Sequence, residues 1–122
     1  MDDLIRLMKT LADPTRLTLF KLILTDELCV CELQSLLGIS QPAVSQHMAK
    51  LKAAGLVRER RAGSWTYYKG DLAEVTARLG AVSAFLAADP GDLPEIADLA
   101  QKCKCMDRVG MCGPETKGVV IE

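Results

Sequence analysis

The sequence predicts a mainly α-helical fold with one small β-hairpin, arranged around a helix-turn-helix. Three observations carry that expectation. Apolar residues recur at three- and four-residue spacing through most of the chain before Asp89, the steps of an amphipathic helix. Gly38 and Ser40 separate two such stretches with a left-handed stop and a helix cap. Two runs of β-forming residues follow at once, joined by Ala62-Gly63-Ser64.

The elements read in order as follows. Leu4, Ile5, Met8 and Leu11 stripe a first short helix. Asp13-Pro14-Thr15-Arg16 starts a second, with Asp13 as cap acceptor and Pro14 where a missing N–H costs nothing; Leu17, Phe20 and Leu24 mark its buried face. A third helix is expected from about Cys29 to Leu37, burying Val30, Leu33 and Leu37, with Gly38 ending it and Ile39 plugging the turn. Ser40 caps a fourth helix with Pro42 in its first turn and Val44, Met48 and Leu51 on its core face; Gly55 stops it. Leu56–Arg61 and Trp65–Lys69 form a two-stranded hairpin with a basic tip. Leu72, Val75, Leu79, Val82 and Leu86 stripe a fifth helix that Asp89-Pro90-Gly91-Asp92 ends, and a short helix is expected over about 94–102. The last eight residues are expected to be loose.

A chain of 122 residues that is 49% apolar fits one small globular domain. Its net charge of −1 hides an uneven distribution. Residues 40–69 hold Lys50, Lys52, Arg58, Arg60, Arg61 and Lys69 against Glu59 alone, a local balance of +5, while both flanks are acidic. A basic centre in an acidic chain marks a localised polyanion site. No charged-then-apolar leader opens the chain, and no apolar run reaches the roughly 18–20 residues that span a bilayer, so a cytoplasmic protein with no membrane partner is expected. Five cysteines in a reducing compartment point to ligands or reactive thiols rather than disulfides.

On a helical wheel, the side of the fourth helix opposite Val44, Met48 and Leu51 carries Pro42, Gln46, Ala49 and Ala53, flanked by Ser45 and Lys50, with Gln41 projecting from the first turn. Small residues permit close approach to a groove, and an amide such as Gln46 can pair bidentately with adenine. Arg58, Arg60 and Arg61, with Ser64 at the turn, suit phosphates, which orient without specifying. A helix, a glycine turn, a Ser-capped helix and a basic hairpin in succession favour double-stranded DNA as the partner over a merely solvated polar surface. No catalytic His–acid or nucleophile arrangement is visible, so no enzymatic activity and no organic cofactor are expected.

Three segments carry a resemblance to a known family. Leu11-Ala12-Asp13-Pro14-Thr15-Arg16-Leu17, Ser40-Gln41-Pro42-Ala43-Val44-Ser45-Gln46-His47-Met48 and Leu51-Lys52-Ala53-Ala54-Gly55-Leu56-Val57 resemble the arsenical-resistance repressor family (ArsR/SmtB), over about residues 4–88. The resemblance implies a winged helix-turn-helix homodimer that represses metal-resistance operons and leaves DNA when metal binds, with the first and fifth helices at the dimer interface. On that reading residues 1–92 form the DNA-binding and dimerisation domain and 93–122 a cysteine-containing tail. A two-fold dimer reads half-sites about 34–36 Å apart or a multiple of that. Candidate DNA contacts are Ser40, Gln41, Ser45, Gln46, His47 and Lys50 on the helix and Arg58, Arg60, Arg61 and Ser64 on the hairpin; for His47, at the edge of the core face, a phosphate contact or a packing role is expected.

Cys29 and Cys31 match the family's Glu-Leu-Cys-Val-Cys, which in arsenical sensors supplies thiolates for trivalent arsenic or antimony. Soft thiolates select thiophilic ions, although free cysteines often serve as small buried hydrophobes. Residues two apart on a regular helix point about 200° apart, so joint capture must use a non-helical start or unwind the first turn. The family's three-thiol site has a further cysteine where Gln34 stands here. A third ligand would come from Cys103, Cys105 or Cys112 of the same or the partner subunit, or from a non-protein group; alternatively those three thiols form a site of their own. The resemblance also leaves open a repressor answering cadmium or lead, and the chemistry of the thiols leaves open a redox switch in which oxidation to a disulfide releases DNA. A zinc or nickel site between dimer helices looks absent, since Leu72–Leu86 offers only Glu74 and no histidine.

Overall fold

The computed structural model describes residues 1–106. Cys112 and the expected loose end lie outside the described residues. The described chain forms α1 (Asp2–Leu11), α2 (Pro14–Thr25), β1 (Leu28–Cys29), α3 (Val30–Leu37), α4 (Gln41–Ala53), β2 (Val57–Ala62), β3 (Trp65–Gly70), α5 (Leu72–Ala87), a 3-10 turn over Pro90–Asp92 and α6 (Ala97–Cys105). The chain divides into two compact units, Met1–Ala84 and the segment from Phe85 onward.

In the first unit the expected stops and caps are present. The Asp13 carboxylate accepts the Arg16 N–H at 2.9 Å and starts α2 behind Pro14. Gly38 takes φ +65°, a left-handed ending that suits a residue without Cβ, and its N–H returns to the Gln34 carbonyl at 2.8 Å. Ser40 Oγ accepts the Ala43 N–H at 3.2 Å and opens α4. Gly63 (φ +60°) and Ser64 form a two-residue loop between the in-register strands β2 and β3, where Ala62 faces Trp65.

The core gathers Leu7, Leu19, Phe20, Ile23, Leu33, Val44, Met48, Leu51, Leu56, Tyr68 and Val75, all buried. Several stripes are rotated from the sequence expectation. Leu7 is the buried anchor of α1, while Ile5 and Met8 are exposed. In α2 the inward residues are Leu19, Phe20 and Ile23, and Leu17 is 48% exposed. In α2 the apolar residues are spread around the helix among Thr15, Arg16, Thr18 and Lys21, so its own sequence does not fix which side turns inward. The α5 stripe splits: Val75 is buried and Val82 packs on the core, whereas Leu72 and Leu79 are 60% and 49% exposed.

The hairpin is not two-stranded. Leu28 and Cys29 pair antiparallel with Tyr68 and Tyr67, giving a three-stranded sheet in the order β1-β3-β2. Those residues satisfy the otherwise open edge of β3 before the chain turns into α3. The third helix accordingly begins at Val30 and not at Cys29.

In the second unit the turn at Asp89 is held by its carboxylate, which accepts the Gly91 N–H at 2.8 Å. α6 runs three residues beyond the expected end, with Cys103 and Cys105 exposed in its last turn. No helix among the described residues is long and apolar enough to cross a membrane.

Leu33 and Leu36 provide a test of this packing, since one is fully buried and the other 62% exposed on the same helix. Leu33→Ala is expected to cost about 2–5 kcal/mol in urea unfolding, and Leu36→Ala within about 0.5 kcal/mol. Equal losses would misplace α3.

Candidate metalloid pocket and nucleic-acid interface

Cys29 is the last residue of β1 and the N-cap of α3, with extended backbone (φ −88°, ψ 166°). Its N–H donates to the Glu32 carboxylate at 3.0 Å, one half of a capping box. That bond first, and the Cys29 thiol second, hold the Glu32 carboxyl below its usual pKa range. Cys31 lies on the first turn of α3 and is exposed, whereas Cys29 is buried. The pair is therefore not two positions of one regular helix, and the angular obstacle to joint capture is removed by the non-helical start.

Both cysteines line one open cavity of about 600 Å³, walled by Glu32, Ser35 and Leu36 from α3 and by Trp65 and Tyr67 from β3. A smaller cavity of about 120 Å³ adjoins Cys31 and brings together Val30, Gln34, Gln41, Ser64, Trp65 and Thr66. Gln34, at the position of the family's third thiol, thus stands beside Cys31. Gln41 opens α4 and Ser64 tips the wing, so Cys31 lies beside the start of α4 and the tip of the wing. Among the described residues no group of three or more His, Cys, Asp or Glu side chains is gathered as a metal site. The donor set on the first unit is two soft sulfurs, which fit a thiophilic ion and leave part of its coordination to be supplied from elsewhere. On an intact α6, Cys103 and Cys105 would point about 200° apart, so holding one ion between them requires that turn to open.

The second set of candidates lies on α4 and the wing. Val44, Met48 and Leu51 are fully buried, which turns Gln41, Ser45, Gln46 and Lys50 outward. Ser40 is exposed and spends its oxygen on the cap. His47 is half-buried and near enough to α2 to help lower the Asp13 pKa, after the Arg16 N–H that is its main cause. Each wing arginine meets a carboxylate: Arg58 with Asp71 at 3.3 Å, Arg61 with Glu59 at 3.4 Å, and Arg60 with Glu27 at 2.7 Å. Glu59 is shared with Lys52 at 2.8 Å, the leading cause of its lowered pKa. These are exposed pairs of small individual worth, so they leave the guanidiniums able to exchange a carboxylate for a phosphate. Ser64 is exposed at the loop.

Sequence reasoning did not find Glu27, Glu32, Leu36, Trp65 or Tyr67. One signal was available: Glu32 stands three residues after Cys29, the spacing of a capping box, with cysteine in the usual Ser/Thr place. The aromatic wall depends on the pairing of a two-residue strand, which no local pattern announces.

A helix-turn-helix followed by a basic β-wing, with amides and arginines on the outer side, defines a winged-helix regulator of the DNA-binding class. The chain belongs to the arsR family of bacterial regulatory proteins, whose model matches residues 13–59. It is 50% identical over 62 residues to the arsenic resistance transcriptional regulator ArsR1 of Pseudomonas putida, covering 50% of this chain and 48% of that one. It is 34% identical over 88 residues to the nodulation protein NolR of Rhizobium meliloti, covering 72% of each. Its fold is similar to a homodimeric winged helix-turn-helix DNA-binding domain from Mycobacterium bovis, described as a possible ArsR-family transcriptional regulator. That likeness has a TM-score of 0.57 and 31% identity over 77% of this chain and 84% of that one. The chain spans about half the length of the curated arsenical-resistance relatives it matches. The family is one of regulatory proteins, in keeping with the expectation that the chain is not an enzyme.

Gln46 is an outward amide in the middle of α4. Gln46→Ala is expected to reduce discrimination between a selected duplex and a mismatched one by about 1–3 kcal/mol, measured by competitive fluorescence anisotropy. Unchanged discrimination would move base reading to Gln41, Ser45 or the wing.

Proposed function

We propose that this chain is a transcriptional repressor that binds operator DNA as a homodimer and is released by trivalent arsenic or antimony held on the thiolates of Cys29 and Cys31. The observation that carries the reading is the shared cavity: two thiols, one from the end of β1 and one from α3, open into a single space between the helix-turn-helix and the wing. The names of the arsenical-resistance relatives support the choice of ion. A reducing cytoplasm would keep both thiols available.

The chain's own residues account for the remaining roles. Gln41, Ser45, Gln46 and Lys50 face a groove from α4, and Arg58, Arg60, Arg61 and Ser64 face phosphates from the wing. Ile5 and Met8 on α1 and Leu72 and Leu79 on α5 are apolar and exposed in the single chain, a surface that a second copy would cover. Cys29 and Cys31 would supply the thiolates that hold the ion. The residues that feel it are those that hold these sulfurs: Glu32 through the Cys29 N–H, and β3 through the Cys29–Tyr67 pair. A third ligand is assigned to a tail thiol, Cys103, Cys105 or Cys112, or to a non-protein group. Coupling of about 1–3 kcal/mol, or about 5–150-fold in affinity, is typical between two such sites and suffices for release.

Cys29→Ser and Cys31→Ser should each keep duplex affinity in ion-free buffer and lose release by arsenite, read by anisotropy; cadmium run alongside ranks the ions. Release retained in both variants would move the ion site to the tail. Release by an oxidant, reversed by dithiothreitol without any metalloid, would replace the ion with a redox signal.

A further inference from the structure

Three residues stand in register across the sheet: Cys29 faces Tyr67, and Tyr67 faces Arg60. Directly paired residues on neighbouring strands project to the same side, so this row forms one ladder. Its first two members wall the thiol cavity. The third, Arg60, lays its guanidinium 4.6 Å from the centre of the Tyr67 ring. Arg60 is also held side-on by Glu27, donating Nη2–H to Oε1 at 2.7 Å and Nε–H to Oε2 at 3.2 Å. Glu27 precedes Cys29 by two residues in the segment that leads into β1. One wing arginine is thereby gripped from two sides, by the ring that walls the cavity and by the segment that carries its buried thiol. Arg58 and Arg61 meet carboxylates alone.

A guanidinium over a ring and forked onto a carboxylate has two of its five N–H donors engaged and its charge paired. The Glu27 carboxylate and a DNA phosphate are rival anions for it, so the two placements of Arg60 compete. We propose that Tyr67 and Glu27 are positioning residues that couple the thiol cavity to the wing: filling the cavity against Cys29 and Tyr67 favours the in-protein grip on Arg60 and withdraws one phosphate contact per subunit. This rests on the reading that an ion binds at Cys29 and Cys31, and adds a route through the wing beside the one through Glu32 and the cap of α3. Both routes start from the same two sulfurs, but only this one predicts that release depends on residues of the wing and of the segment before β1.

The experiment uses the full chain and a duplex it selects from a randomised pool. Trp65, the one tryptophan in the sequence, lines the cavity and reports arsenite binding by its fluorescence. Anisotropy as a function of salt, with and without saturating arsenite, gives the number of phosphates engaged, since each contributes about 0.9 to the log–log slope. Wild-type protein should show a shallower slope in arsenite. Glu27→Gln should bind arsenite as wild type does. Freed of one grip, its Arg60 should give a steeper ion-free slope, by up to about 0.9 per subunit, and a smaller arsenite-dependent drop in affinity. Tyr67→Leu should behave like Glu27→Gln at arsenite concentrations that saturate the Trp65 signal. Tyr67→Phe, which keeps the ring, should behave like wild type.

If wild type keeps its duplex in arsenite, the ion reading falls and the coupling with it. If wild type releases its duplex, but Glu27→Gln and Tyr67→Leu match its slopes and its drop in affinity, the coupling alone is overturned. Tyr67→Phe losing the effect as fully as Tyr67→Leu would also overturn it, because the ring would then not be the carrier.

Discussion

Between Glu27 and Glu32 the backbone changes from strand to helix within two residues, and both tasks fall on Cys29. As a strand residue it pairs with Tyr67, and as an N-cap it stands at the start of α3 with its N–H on the Glu32 carboxylate. The strand pair and the cap together fix where α3 begins. The thiol cavity, the edge of the sheet and the start of the helix-turn-helix share this one residue.

That arrangement changes how a switch has to work. Two cysteines on one regular helix would face opposite ways, and capture would require the helix to open. With Cys29 extended and Cys31 on the first turn, both can line one cavity while α3 remains helical. On the proposed reading, binding would reshape a cap and a strand end and would not need to break a helical turn. The sheet then becomes part of the response, because the cap is also a β-pair.

Much of the site's outline was readable from residues alone. Asp13-Pro14, Gly38 and Ser40 are local signals with local causes, and each appears in the structure at the expected place. The outward side of α4 followed from three fully buried residues at helical spacing. What escaped was set by tertiary pairing. A strand of two residues has no periodicity, so β1 could not be seen, and without β1 nothing places Tyr67 beside Cys29. The inward side of α2 was legible at Phe20 and Leu24 but not at Leu17, Leu19 and Ile23, for a related reason: apolar residues surround the helix, and the neighbours decide which ones are covered. The ion pairs of the wing arginines were likewise invisible, since Glu27 and Arg60 are far apart in sequence.

The central claim is that Cys29 and Cys31 hold the ion together, whatever completes its coordination. X-ray absorption on the arsenite-loaded full chain counts sulfur neighbours directly, and comparing it with the Cys103→Ser/Cys105→Ser/Cys112→Ser triple variant separates the two sets of thiols. The account predicts at least two arsenic–sulfur bonds surviving in the triple variant and none in a Cys29→Ser/Cys31→Ser double variant. Sulfur neighbours lost with the tail thiols and kept in the double variant would contradict it.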